Sequence, residues 1–333
     1  MFTEAIEKIL TDLCTPALVR AVENGEGAPA LWSALEDSGF LELLTPEAAD
    51  GAGLGLDALL PIFVAFGRHA LPVPAAQSIA ARALMRACPI APPAGMITLS
   101  GTAYSEIDGT LCVPRMAFGL LADFALVNLE GQLLLLDCSL ALRQPVGVHA
   151  SQCATLYWPP ETLGSAIGHN GEEVRLFHAT IHAAAIAGAM ETVIGMTLEY
   201  CNDRVQFGKA IGKFQAVQHQ LSVMAEQVAA SRIAAELAFC AGRQVPDRMA
   251  TAIAKARTSM AVSQVTATAH ALFGAIGVTE ELDLQLFTRR LHEWRISEGS
   301  ETCWNAIVGQ ALLAQPNVTA SEFVRHVTPS PSA

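Results

Sequence analysis

The sequence predicts a mainly α protein with a small β domain. It reads as an N-terminal helical domain (1–88), a shortened middle β domain (89–165) and a C-terminal helical bundle (166–333). Three observations carry this reading. A chain of 333 residues is too long for one compact core, so two or three parts are expected. Thirteen of the 17 prolines fall at or before Pro160, and between Pro160 and Pro316 only Pro246 interrupts a stretch dense in strong helix formers. Ahead of that stretch lie short β-type runs bounded by Gly, Pro, Asn and Asp.

The elements follow in order. MFTEAIEKILTDL opens the chain as an amphipathic helix, and the helices after it are short, punctuated by TPEAADGAGLG and LPVPAA. MITLSG, GTLCVP, ADFALVNL, QLLLLDCS and CATLYW read as strands. In HATIHAAAIAGAMETVIGMTLEYCNDR the apolar residues Ile186, Met190, Val193, Ile194 and Leu198 recur at three- and four-residue steps. Gly188 and Ala189 in the same run would let another helix approach closely. FQAVQHQLSVMAEQVAASRIAAELAFCA and DRMATAIAKARTSMAVSQVTATAHALFGAIG repeat the pattern. With the segment after Glu298 they predict four long antiparallel helices. The tail from Pro316 is expected to be partly mobile.

Composition narrows the function classes. Hydrophobic residues make up 52% and charged residues only 16%, with mean hydropathy +0.37, which implies large buried faces that extend to subunit interfaces. The most apolar stretch, MAFGLLADFALVNLEGQLLLL, is interrupted by Asp123, Asn128 and Glu130 and is not read as a membrane span. The N-terminus lacks a basic region followed by an apolar one, so no signal peptide is expected. Eight scattered cysteines without a CxxC pair suggest neither a zinc site nor a disulfide framework, and a cytoplasmic setting fits. A net charge of −12 argues against nucleic acid.

Two stretches could carry chemistry. In DRVQFGKAIGKFQAVQHQ a helix ends near Gly208 and another opens at Phe214-Gln215. Arg204, Phe207 and Gln215 gathered at that loop suit a planar, phosphate-bearing ligand, since guanidinium grips pyrophosphate and an aromatic ring lies along another. The plain alternative is a capped helix C-terminus. In WRISEGSETCW, Glu298 is either a solvated carboxylate or a base. Among the nine histidines, His69, His178, His182, His219, His270 and His292 lack metal-ligand spacing and read as core or surface residues, and no metal site is expected. Asp283 and Glu293 read as solvated helix-face charges. TRRLHEWR reads as helix-surface charge, with contact to CoA phosphates as its alternative. No serine sits in a nucleophile elbow.

DRVQFGKAIGKFQAVQHQ resembles the flavin-binding signature of acyl-CoA dehydrogenases, Arg-x-x-Phe-Gly followed by Phe-Gln-x-x-x-His/Gln. LWSALEDSGFLELLTPEAADGAGLGLDALLPIFVAFGRHALPVP resembles the family's N-terminal domain. ALFGAIG resembles its glycine motif, and ISEGSE the segment with its catalytic Glu-Gly-Thr/Ser. The four motifs occur in the family's order and cover both helical parts. The resemblance implies an acyl-CoA dehydrogenase-like fold, an FAD cofactor, an acyl-CoA substrate and an electron-transfer flavoprotein or similar acceptor. It implies that Arg204 grips the flavin pyrophosphate, of a neighbouring subunit's FAD, with Phe207 and Gln215 lining that site and Gly274 letting backbone approach the dinucleotide. Glu298 is implied as the base that removes the α-proton, with its pKa raised by apolar surroundings. Ser300 and Thr302 then fall where the family touches the flavin. Some members place the base earlier, at a position that is about His178 here, not a carboxylate, with Glu172 and Glu173 nearby.

The chain also departs from the family. The middle region lacks the Ser-Glu-Pro-x-Ala-Gly-Ser-Asp and Trp-Ile-Ser/Thr flavin contacts. Ala271, Ala275, Arg289-Arg290 and Asn305 replace family residues around the later motifs. These losses resemble short members that pair with a fuller, homologous subunit in steroid or sterol side-chain breakdown, so an α2β2 heterotetramer sharing FAD is expected. The alternatives are a non-catalytic partner subunit that completes another chain's FAD site, and different flavin chemistry on the same fold.

Overall fold

The computed structural model describes residues 2–240, 242–315 and 317–327. Five helices come first: α1 (Phe2–Leu13), α2 (Pro16–Glu23), α3 (Pro29–Asp37), α4 (Leu56–Arg68) and α5 (Ala75–Ala87). Local chemistry sets their ends. Thr15 accepts from Leu18 N–H at 3.3 Å to cap α2, and Pro16 takes a first-turn position where no N–H is needed.

Seven strands follow: β1 (Ile97–Ser100), β2 (Tyr104–Ser105), β3 (Leu111–Met116), β4 (Phe124–Leu129), β5 (Gln132–Asp137), β6 (Leu142–Pro145) and β7 (Ala154–Trp158). They form two sheets, one ordered β1-β4-β5 with β1 parallel to β4, the other β2-β3-β7-β6 and antiparallel. Alternation along β4 places the first sheet in a layer. Leu126 joins the helical core while its neighbours Ala125 and Val127 face the second sheet, whose core includes Val113, Leu156 and Trp158. All five expected runs are strands; β2 and β6, short and largely exposed, were not anticipated.

The C-terminal part contains α6 (Gly171–Asp203), a hairpin of β8 (Val205–Gln206) and β9 (Lys209–Ala210), α7 (Gln215–Ala238), α8 (Arg248–Phe273), α9 (Leu284–Ile296), α10 (Glu301–Leu313) and α11 (Ala320–Val327). Asp247 caps α8 by accepting from Met249 and Ala250 N–H at 3.0 Å. The bundle differs from four long helices: α10 has only 13 residues, and α9 packs as a fifth member against α6 and α8. The expectation of a mobile tail lies partly outside the described residues, and 320–327 is helical.

Small residues join the first helices to the bundle. A Cβ on Gly188 of α6 would stand 2.0 Å from the Val64 carbonyl oxygen of α4, and one on Gly67 would stand 2.1 Å from that of Ala185. Only glycine lets these two helices cross so closely. Among the described residues, 171–203 and 248–278 are long and apolar enough to cross a membrane by length and composition. In α6 two-thirds of that apolar window (67%) is buried within the protein, the pattern of a core helix. The stretch 116–136, apolar by sequence, forms the end of β3 with β4 and β5.

Candidate active site

Glu298 lies where α6, the α9–α10 turn and the end of β1 meet. The turn leaves α9 at Ile296, and Glu298 then takes a left-handed conformation (φ 55°), as does Gly299 (φ 110°). Non-glycine residues hold that region only when their surroundings impose it. Here Lys255 of α8 imposes it. Its buried Nζ donates to the carbonyls of Trp294 (2.9 Å), Arg295 (2.8 Å) and Gly299 (3.3 Å) and to Ser259 Oγ (2.9 Å). One ammonium thus caps the C-terminus of α9 and ties down the turn beyond it.

The Glu298 side chain is only 6% exposed. Its Oε1 accepts from His178 Nδ1–H at 2.9 Å and from Gly101 N–H at 3.0 Å, while Oε2 has no partner among the described residues. Burial pushes the Glu298 carboxyl up. The His178 hydrogen bond and charge, the Gly101 amide and the Arg175 guanidinium outweigh it, and the pKa lies below the ordinary carboxylate value. The expectation of a raised pKa is therefore corrected: the site is buried, but its donors favour the carboxylate. Burial drives Lys255 the other way, down to about 7, against the pull of Glu298 and Glu301. His182 is held well below its ordinary value by burial, then by His178 and Lys255, and is neutral.

A cavity of about 390 Å³ opens beside Glu298. Leu99, Met116, Ala117, Phe118 and Ile296 supply apolar wall; Ser151, Arg175, His178, His182 and Glu293 supply polar groups. The volume and mixture suit a small organic ligand. An ionised, buried carboxylate on its wall can take a proton from a ligand held there.

Residues 177–313 match the family model described as acyl-CoA dehydrogenase, C-terminal domain. That C-terminal part of the chain is of the acyl-CoA dehydrogenase type. It is 29% identical over 304 residues to acyl-CoA dehydrogenase IpdE2 of Mycobacterium tuberculosis, covering 88% of this chain and 90% of that relative. Among solved structures it resembles a chain of the ChsE4-ChsE5 complex from Mycobacterium tuberculosis (TM-score 0.81, 21% identity, 94% and 96% of the two chains). It also resembles the Tcur3481-Tcur3483 steroid ACAD G363A variant (TM-score 0.81, 24% identity, 94% and 96%). At those identities the structural likeness is one of fold.

The residues that the acyl-CoA dehydrogenase resemblance singled out form two groups. Glu298, half-buried Ser300 and exposed Thr302 belong to the α9–α10 turn. Arg204, Phe207 and Gln215 lie at the other end of α6 around the β8–β9 hairpin. Gly274 (φ 66°) joins them, because Phe273 packs on Tyr200 with ring centroids 4.5 Å apart, one turn before Arg204. Arg204 follows His178 by 26 residues of continuous helix, about 39 Å at roughly 1.5 Å per residue. One chain therefore does not bring Arg204 and Glu298 to a common point. The exposed Arg204 guanidinium has no hydrogen bond or ion pair among the described residues, and Phe207 is 91% exposed at φ 51°.

Several readings of single residues are corrected. His178 and His182 are buried as expected of core histidines, but both line the cavity and His178 holds Glu298. Glu293 is not a solvated charge: it accepts a short hydrogen bond from Ser151 on the cavity wall. Asp283 pairs with Arg20. Arg289 and Arg290 of TRRLHEWR both grip Glu23, at 2.8 and 2.5 Å, instead of standing free on a helix surface. Sequence reasoning missed Lys255, Gly101 and Arg175. A lysine inside an otherwise apolar helical run was the available signal for the first; nothing local marked the other two.

Proposed function

We propose that this chain is a subunit of an FAD-dependent acyl-CoA dehydrogenase that introduces an α,β-double bond into an acyl-CoA thioester. The carrying observation is Glu298: buried, kept ionised by His178 and Gly101, and set on the wall of a ligand-sized cavity. The Glu298 carboxylate takes the α-proton, and the electron pair left behind forms the double bond as a hydride leaves the β-carbon. Bound flavin supplies the hydride acceptor. Burial excludes water from the base, and the fixed turn aims it.

Two features support a flavin held between chains. Arg204, Phe207, Gln215 and Gly274 form an exposed platform: the guanidinium has no hydrogen-bond or ion-pair partner among the described residues, and the Phe207 ring, 91% exposed, touches only the edge of Phe214 there. The middle strands lack the family's flavin-contact motifs, and Gly101 there bonds Glu298 instead. We propose that the platform holds the FAD of a longer homologous subunit in a soluble α2β2 assembly, with Ser300 and Thr302 facing the flavin nearer Glu298. An electron-transfer flavoprotein or similar carrier would reoxidise it.

The platform's distance from Glu298 also favours a second reading, in which this chain completes its partner's flavin site and the partner supplies the base. The assembled complex decides between them. Glu298→Gln is expected to lower turnover by about 10²- to 10⁴-fold with flavin content unchanged; undiminished turnover places the base in the other chain.

A further inference from the structure

Residues on the cavity wall carry buried hydrogen-bonding atoms that nothing among the described residues serves. His182 Nδ1 lies 2.9 Å from the His178 carbonyl oxygen, and because a carbonyl only accepts, the proton resides on Nδ1. The ring is neutral, so its Nε2 carries a bare lone pair, and this atom is buried without a partner. His178 Nε2 and Glu298 Oε2 are likewise buried and unpartnered. The two imidazole rings stand 4.3 Å apart, each residue is 1% exposed, and both line the cavity. Arg175, a donor in the same wall, is directed elsewhere: its guanidinium donates to Cys303 Sγ and lies over the Trp304 ring. A buried acceptor without a donor is costly, and native interiors avoid it.

His182 also lines a small adjoining recess, of about 30 Å³, walled by side chains such as Phe63, Phe66 and Leu71. An acceptor thus sits at the border between the polar end of the main cavity and an apolar surface. A carbonyl would meet Nε2 lone pair to lone pair. A hydroxyl would satisfy it.

We propose that this cavity binds ligands with an apolar body and a hydroxyl group, the O–H donating to Nε2 of His182 and the body lying against Phe118 and the apolar wall. In a substrate the hydroxyl sits on the acyl group itself; that extension rests on the dehydrogenase reading above, whereas the hydroxyl site does not.

The test uses the full chain, with any subunit that accompanies it, carrying ¹⁵N-histidine. It is titrated with cyclohexanol and with cyclohexanone, probes of equal size of which only the alcohol donates. Cyclohexanol is expected to bind about tenfold more tightly and to move the His182 Nε2 resonance upfield, while the ketone leaves it in place. His182→Phe, which keeps a ring but lacks the lone pair, is expected to erase the preference. Equal affinities, or a His182 Nε2 signal that the bound alcohol does not move, would overturn the proposal. The wild-type shift decides even if the variant fails to fold. Because the probes have no thioester and need no flavin, a chain inert in turnover can still pass this test, and an active one can fail it.

Discussion

Glu298 and His178 show what one hydrogen bond does to a buried carboxylate. Burial alone would raise the pKa, and the His178 contact is the largest opposing influence. Removing that donor in His178→Phe leaves Gly101 N–H and Arg175 to oppose burial, so the Glu298 pKa must rise. The acid limb of the pH–turnover profile is then expected to move to higher pH, with turnover falling more at pH 6 than at pH 8. His178→Gln, which restores a donor, should recover part of the shift, and a variant that only loosened packing would scale the profile without moving it. The sequence marked Glu298 through its neighbours Gly299 and Ser300 and through the order of motifs upstream. It marked His178 only by its count from Arg204, because the two residues lie 120 positions apart and meet solely in the fold. Gly299 was legible for a related reason: at φ 110°, with an added Cβ only 3.1 Å from Cys303 Sγ, alanine there is strained twice. Gly299→Ala should cost about 1–3 kcal/mol in denaturant unfolding.

Among the elements, the α9–α10 turn depends most on a single residue of another helix. Lys255→Met fills the same space and leaves the carbonyls of Trp294, Arg295 and Gly299 without their donor. The expected loss is about 2–4 kcal/mol, summing partial penalties for buried acceptors. The pH dependence has a definite sign. The folded pKa of Lys255 is about 7, below its ordinary 10.5, so above pH 7 the unfolded chain binds more protons than the folded one. Stability from this group therefore rises with pH from about 7, by up to roughly 1.4 kcal/mol per unit. Above pH 9 the buried thiols of Cys14 and Cys138, pushed up to about 12, act in the opposite sense. Urea unfolding between pH 7 and 9 should show the rising slope in wild type and its absence in Lys255→Met. Helices and strands with strong periodicity, such as α6 and β4, were readable from sequence, and Gly188 announced a close crossing that α4 provides. The β8–β9 hairpin was not, since two-residue strands carry no period.

At the scale of the whole molecule, α6 sets the design: one end carries the cavity and Glu298, the other carries the platform of Arg204 and Phe207. The sequence could list the residues of both, but not that about 39 Å of helix separates them. On the proposed reading, separation on that scale has the two ends act on different flavins or different chains. Their variants should therefore dissociate experimentally. In the assembled complex, Arg204→Ala removes the guanidinium proposed to grip pyrophosphate and Phe207→Ala a 91% exposed ring whose one ring contact among the described residues is an edge contact with Phe214. Both are expected to lower the flavin-to-protein ratio, with added FAD restoring turnover in a saturable way. Neither should alter cyclohexanol binding at His182 or the acid limb set by Glu298. Conversely Glu298→Gln and His178→Phe should keep their flavin. If Arg204→Ala retained full flavin while shifting the acid limb, the two ends would be coupled within one chain, and the division of labour along α6 would be wrong.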